Sequence, residues 1–356
     1  MQKGDRVLEE QAALNSREYF GEETADCGSP PHDSGVMYIS WAESCSRSDQ
    51  TARELGGRSF MVYLPFLGSH PLTILPKYIG QFLITSWLLL RHRPHAVVIM
   101  SPPIFAAFAP LIYHWLTGRP FALDNHTAAF KHPRFRRLQW LQAALERRAA
   151  TNIVHNDHLR DIVVERGGGA VIVRDVPVVY EDGQHYEMSS GKNITVVCSF
   201  NPDEPIEMIL RAAEKLEDIQ FYMTGNPKHL SNELKAAIPP NVQLTGFVSD
   251  HAYGSLLKRS HAVMSLTTRD HTMLRGAWEA VYQGTPVIVS DWPILREAFD
   301  QGAMHVDSSP ESIANGIRQL LENHERFRNE AAIARKQRVE NWNSVKQELL
   351  EKLLNH

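Results

Sequence analysis

The chain has 356 residues, 43% hydrophobic and 22% charged, the balance of a folded globular protein of about two domains. Its 21 Gly and 20 Pro exclude a collagen-like or low-complexity chain; three cysteines (Cys27, Cys45, Cys198) with no CxxC exclude a disulfide scaffold, argue against a zinc ribbon and fit a reduced, cytoplasmic compartment. The net charge of −4 hides an asymmetry: residues 1–35 sum to −5, 36–180 to +7 and 181–356 to −6, so the middle block points to an anionic partner or membrane surface, or is a chance excess of solvated arginine.

Residues 1–34 are polar and acidic, with Gly/Ser/Pro stretches and no apolar run, so they read as a disordered extension without a signal peptide. Strand-like runs then fall at 36–41, 59–64, 95–100, 120–124, 151–154 and 170–173. Helical periods lie between them at 46–56, 74–92, 103–117, 134–148 and 157–166. The helix around 79–90 places Ile79, Phe82, Leu83, Trp87 and Leu90 on one side. Ala96–Leu116 is long and apolar enough to suggest a membrane span, but Pro102, Pro103 and Pro110 break it into a strand, a turn and a helix.

Segment 174–191 is polar and aperiodic, with Pro and Gly, and marks a domain boundary with a linker at 179–191. Strand runs resume at 193–198, 219–223, 242–245, 261–266, 286–289 and 303–306. The first helix of this half opens at Asp203-Glu204-Pro205 and carries Ile206, Ile209, Leu210, Ala213 and Leu216 as one apolar stripe. A charged helix closes the chain over about 325–354. The expected fold is α/β: two doubly wound Rossmann-like domains, 35–178 and 192–335, then a terminal helix over 336–356. Ligands of such sheets sit outside the carboxyl ends of the strands.

Several chemistries are excluded. There is no GxxxxGK[ST], HExxH, GxSxG or EF-hand loop, and Gly167-Gly168-Gly169 misses the GxGxxG spacing. His155 and His158 stand at i, i+3 in HNDH, but two histidines need a further ligand before they suggest zinc; a polar helix start accounts for them.

The richest stretch is 261–299. A strand ends near Leu266, a polar loop Thr267-Thr268-Arg269-Asp270-His271 follows, and a helix is expected from near Thr272 with Glu279 inside it. A helix N-terminus at a strand's carboxyl end offers free N–H groups and a positive dipole end to a diphosphate. Arg269 adds charge, and Glu279 offers a carboxylate to two ribose hydroxyls. An ordinary βα unit with a surface glutamate is the alternative.

The stretch WEAVYQGTPVIVSD (278–291), with LREAF at 295–299, resembles the donor-site region of family 4 and related glycosyltransferases of the GT-B fold. Their signature is Glu, seven residues, Glu-Ala, then a Gly-x-Pro-Val-[IV] strand. The resemblance runs in organisation over roughly 36–350 and is strongest over 192–300. It implies two domains facing a cleft, with the terminal helix crossing back to the first. It implies that Glu279 binds the donor ribose and that residues 272–274 give backbone donors to the diphosphate. Ser199, Thr268, Arg269, Thr272, Met273, Leu274, Arg275 and Glu279 are thus the expected nucleotide-sugar contacts. The donor would be a UDP-sugar or GDP-sugar, with no cofactor. No metal is expected, because no Asp-x-Asp pair is present to chelate one.

Two positions depart from the pattern. His271, beside Asp270, stands where the family has its first Glu, so Asp270 or His271 is the expected sugar contact. CSFNPDEP (198–205) lacks the Lys/Arg pair usual there, which leaves Arg269, Arg275 or Lys228 to neutralise the diphosphate.

In the first domain a strand ends at Asp124-Asn125-His126-Thr127. Asp124 and His126 are candidates to orient or deprotonate an acceptor hydroxyl; a simple Asp/Asn turn is the alternative. Segment 130–148 carries six basic residues and one acid among Phe130, Phe135, Leu138, Trp140 and Leu141. With Tyr78, Phe82 and Trp87 it would form a basic-aromatic rim for a lipid-linked acceptor at an anionic membrane, or a solvated basic helix. No nucleic-acid motif accompanies it.

The expected activity is therefore metal-independent transfer of a sugar from a nucleotide diphosphate sugar to a hydroxyl of a glycan or polyprenyl-linked acceptor, in the cytoplasm or peripherally on a membrane's cytoplasmic face. A non-catalytic glycosyltransferase-like scaffold is the alternative, and a sugar-nucleotide epimerase a third reading.

Overall fold

A computed structural model describes residues 35–65, 71–131, 137–180, 183, 185–270 and 272–354. The 1–34 extension lies outside the described residues, as do His271 and 132–136 of the basic segment. The chain forms two compact units, one running to Val176 and regaining the chain from Trp342, the other Pro177–Asn341.

The first unit holds a sheet of β1 (Val36–Ser40), β2 (Arg58–Met61), β3 (Ala96–Ser101), β4 (Phe121–Asn125), β5 (Thr151–Val154) and β6 (Ala170–Ile172). The order is β2-β1-β3-β4-β5-β6, all parallel. Helices α1 (Ser46–Glu54), α2 (Pro71–His92), α3 (Phe108–Thr117), α4 (Thr127–Lys131), α5 (Gln139–Glu146) and α6 (Asp157–Glu165) connect the strands, with a 3₁₀ turn at Ile104–Ala107. Side chains alternate between two covered faces: Met37 and Ile39 enter one core, Val36 and Tyr38 the other. Burial on both faces is why these strands read as continuous apolar runs.

The second sheet contains β7 (Asn193–Val196), β8 (Gln220–Thr224), β9 (Val242–Gly246), β10 (Ala262–Ser265), β11 (Val287–Ser290) and β12 (Ala303–Val306). Its order is β12-β11-β10-β7-β8-β9, again parallel. Its helices are α7 (Ile206–Glu214), α8 (Asn232–Ala236), α9 (Asp250–Arg259), α10 (Arg275–Gln283), α11 (Pro293–Ala298) and α12 (Pro310–Glu322), followed by α13 (His324–Leu354). The strand order reverses between β7 and β10, the position where open α/β sheets bind ligands. The apolar stripe of α7 is buried as its spacing requires. Val178 and Tyr180 pack into the second core.

Two helices depart from a simple reading. α2 buries Gln81 and Thr85 and leaves Ile79, Leu83, Trp87 and Leu90 exposed. α13 starts in the second unit, where Phe327 and Ala334 are buried, and ends in the first, where Trp342, Leu349 and Leu353 join the core of Val36 and Tyr38. The Trp342 indole N–H donates to Glu54 at 2.8 Å. Trp342→Ala removes a buried aromatic and this bond. It should cost about 3–5 kcal/mol and shift unfolding of the first unit to lower urea.

Candidate functional site

In the second unit a cavity of about 280 Å³ opens at the carboxyl ends of β7 and β10. Val197, Cys198, Ser199 and Asn201 come from the loop after β7, Ser265–Thr267 from the end of β10, and Thr272–Gly276 with Glu279 from the α10 region. The two walls are held close by Gly276. A Cβ there would lie 2.4 Å from Val197 Cγ1, so only glycine lets α10 start against the end of β7.

Six of the expected contacts meet in this cavity: Ser199, Thr272, Met273, Leu274, Arg275 and Glu279. Others do not. Thr268 lines a neighbouring hollow with Phe200 and His229, and its N–H donates to the Asp203 carbonyl at 2.7 Å. Arg269 is exposed and lies 3.8 Å from Asp203. Asp270 is exposed, and His271 lies outside the described residues. α10 begins at Arg275, not near Thr272. Leu274 holds the N-cap position without a side-chain oxygen, so the first-turn N–H groups of residues 275–277 are not capped from there.

Glu279 is 7% exposed, and both carboxylate oxygens are engaged. Arg275 Nε donates to Oε1 at 2.8 Å, one helical turn away, and the Tyr253 hydroxyl of α9 donates to Oε2 at 2.7 Å. Burial and then the Glu279 charge push the Tyr253 hydroxyl well above its ordinary pKa, so it stays a donor. A carboxylate oxygen can accept more than one hydrogen bond. Tyr253 was not legible in the sequence, being 26 residues from its partner.

The loop after β7 carries carboxylates where the resembled family carries cations. Glu204 accepts from the N–H of Ser199 at 3.0 Å and of Asn201 at 2.8 Å. Its oxygens thereby engage N–H donors beside the cavity, and burial raises its pKa. Asp203 accepts from the Thr267 hydroxyl at 3.2 Å.

In the first unit Asp124, at the end of β4, is 1% exposed. Tyr38 donates to its Oδ2, Arg47 Nε lies 3.6 Å from that oxygen, and His126 Nε2 lies 3.7 Å from it. Arg47 also reaches Asp175 at 3.6 Å. His155, just after β5, packs edge-on to His126 with ring centroids 4.9 Å apart. Asp124 is thus sealed from solutes and can act only through a neighbour. His126, with a third of its side chain exposed, is the group able to touch one. Burial works to raise the Asp124 carboxyl; Arg47, the imidazoles and Tyr38 outweigh it, and its pKa lies below the ordinary value. Burial lowers His126 against the pull of Asp124. Burial and then Arg47 bring His155 down to about 3. Both rings are neutral at pH 7, and a neutral imidazole can accept a proton.

Asp124, His126 and His155 offer three ligand atoms within 4.8 Å of one another. Arg47 already sets a fixed cation beside Asp124, so a divalent ion would meet like charge there. The cluster fits a charge and hydrogen-bond network better than a metal centre. Of its members, Tyr38, Arg47 and His155 lie on β1, α1 and the turn after β5 and are gathered only by strand order.

His155 provides a pH test. Its folded pKa is depressed below an ordinary value of about 6.5. The stability gained by keeping it neutral is complete above that pH and drains as pH falls toward 3. Relative to His155→Phe, the native chain should lose roughly 2–3 kcal/mol between pH 7 and pH 4.5, read from urea midpoints at each pH.

Residues 184–338 match the family model described as Glycosyl transferases group 1. Over 135 residues the chain is 33% identical to the GDP-mannose-dependent alpha-(1-6)-phosphatidylinositol dimannoside mannosyltransferase of Mycobacterium tuberculosis, covering 36% of this chain and 34% of that protein. The chain thus spans about a third of the length of the curated relatives it matches. Among solved structures, Anabaena Alr3699/HepE with UDP and glucose superposes with a TM-score of 0.65 at 13% identity, over 90% of this chain and 99% of that one. Sucrose-phosphate synthase from Thermosynechococcus elongatus gives 0.61 at 12% identity, over 88% and 97%. These likenesses share the fold of two parallel six-stranded sheets, and the matched residues include the whole lining of the β7/β10 cavity. Residues 184–338 are therefore similar to the glycosyl transferases group 1 model, and the chain shares its fold, two parallel six-stranded α/β sheets of the GT-B type, with these solved structures.

Proposed function

We propose that the chain transfers a sugar from a nucleotide diphosphate sugar to a hydroxyl of a glycan or polyprenyl-linked acceptor. The observation that carries this reading is the cavity at the strand-order reversal, where α10 opens without a side-chain cap four residues before Glu279. Glu279 accepts the ribose hydroxyls. The first-turn N–H groups of α10, with Arg275 and with Arg269 from the adjoining loop, receive the diphosphate. Asp270 or His271 contacts the sugar. The bond between the anomeric carbon and the diphosphate oxygen breaks, and the acceptor oxygen takes its place. The negative charge that grows on the leaving diphosphate meets the positive end of α10. His126, oriented by Asp124, takes the acceptor proton.

The named substrate of the mycobacterial relative supports a GDP-sugar and a lipid-linked acceptor; the HepE complex supports a UDP-sugar. The reading needs no metal, because protein groups meet the diphosphate charge. A lipid-linked acceptor would bring the chain to the cytoplasmic face of a membrane.

Calorimetry against UDP, GDP, ADP, dTDP and CMP, with EDTA and then with Mg²⁺, tests the reading. One diphosphate should stand out, and equally so in EDTA. Absence of binding at millimolar concentration would refute it. Glu279→Ala should weaken the preferred nucleotide roughly 10- to 100-fold through loss of charge-assisted bonds to the ribose.

Glu204 bears on the same site with the opposite sign. Its carboxylate repels a diphosphate in this small cavity. Glu204→Gln should therefore tighten nucleoside diphosphate binding several-fold while leaving the uncharged nucleoside unchanged, in the same calorimeter.

A further inference from the structure

α2 is apolar on both sides, which a helix that faces only water on its outer side does not need: Leu88 and Leu89 are buried in the core, with Tyr78, Phe82 and Ile84 packed against it. Its inner side is partly polar as well: Gln81 Nε2 donates to the Val62 carbonyl at 2.8 Å, and the Trp41 indole donates to the Thr85 hydroxyl at 2.9 Å. Its outer side is apolar. Leu75, Ile79, Leu83, Trp87 and Leu90 are each more than half exposed. At 100° per residue they fall within an arc of about 120°, one unbroken stripe along the helix. α3 packs against α2 and exposes Ile112, Trp115 and Leu116, at i, i+3 and i+4. An exposed apolar stripe of this kind marks an interaction site.

Charge indicates the occupant. No acidic residue occurs between Glu54 and Asp124, and five basic ones do: Arg58, Lys77, Arg91, Arg93 and Arg119. Arg91 and Arg93 stand exposed at the end of the stripe. A second copy docked on this face by a two-fold axis would bring like charge against like charge. An anionic bilayer meets both properties: acyl chains take the Leu/Ile/Trp stripe, and headgroups take the arginines. No helix among the described residues is long and apolar enough to cross a membrane. α2 is moreover packed on the protein along its inner side, so it would lie in the interface and not span it.

We propose that the outer faces of α2 and α3 are a docking surface for an anionic lipid bilayer. The role, bringing the acceptor site to a lipid-linked substrate, rests on the reading above. The surface itself does not.

The test is flotation of the full chain with vesicles of phosphatidylcholine alone, and of phosphatidylcholine with about 30% phosphatidylglycerol, at 0.15 M salt. The chain should float with the anionic vesicles and at least about tenfold less with the neutral ones. The variant Leu83→Ser/Trp87→Ser/Trp115→Ser should partition roughly a hundredfold less. Its melting temperature and its nucleotide affinity should stay unchanged, since these side chains are exposed and far in sequence from the donor cavity. Failure of the native chain to float, or equal flotation of the variant, would overturn the proposal. So would a concentration-dependent dimer in sedimentation velocity that the variant abolishes, in a chain that ignores vesicles. Nucleotide binding is measured without vesicles, so loss of the donor reading and loss of the docking surface give separate results.

Discussion

The candidate site of the second unit depends on one close approach, the first turn of α10 against the end of β7. A parallel sheet places the carboxyl ends of its strands together, and the reversal of strand order opens a crevice there. Whether a ligand can use that crevice depends on what its walls present. Gly276 lets backbone come forward on one side, and Leu274 supplies no side-chain oxygen at the N-cap. On the proposed reading, peptide groups supply the positive potential, and they carry no side-chain entropy and need no proton.

The charged side chains around that close approach are mostly acidic. Asp203, Glu204 and Glu279 all line the cavity, and Arg275 is the cation among its lining residues. The arrangement spreads these carboxylates over existing donors: Glu204 over loop N–H groups, Glu279 between Arg275 and Tyr253. An anion bound there would compete with or displace these internal contacts. Affinity in such a site reflects the difference between two well-satisfied states, and selectivity follows from which ligand best replaces what is lost.

Much of this was legible in the residues. The twelve strands stand within three residues of the β-branched and aromatic runs, because strands covered on both faces must be apolar throughout. The place of Glu279 inside the helix after β10 was readable from its spacing to the Gly-x-Pro strand. The start of α10 was not, since Thr272 has the chemistry of a cap and Leu274 does not. The capture of Glu204 depends on a backbone turn in which Phe200 takes φ of 59°, which no side-chain pattern announces. Periodicity marked the stripe on α2 but not which way it faces, because a 3.6-residue repeat is the same whether the apolar side meets a core or a solvent. The Asp124 cluster needed the fold itself: Tyr38, Arg47, Asp124 and His155 come from separate elements.

The terminal helix carries a consequence for how the molecule is made. Chains emerge from the ribosome N-terminus first, and domains tend to fold in that order. Here the first sheet would be synthesised early, yet one of its faces is completed by Trp342, Leu349 and Leu353. The second unit is fully synthesised in between. The unit that is born first is the one that must wait longest for its last wall, holding an uncovered apolar face through the interval in which the second unit is translated.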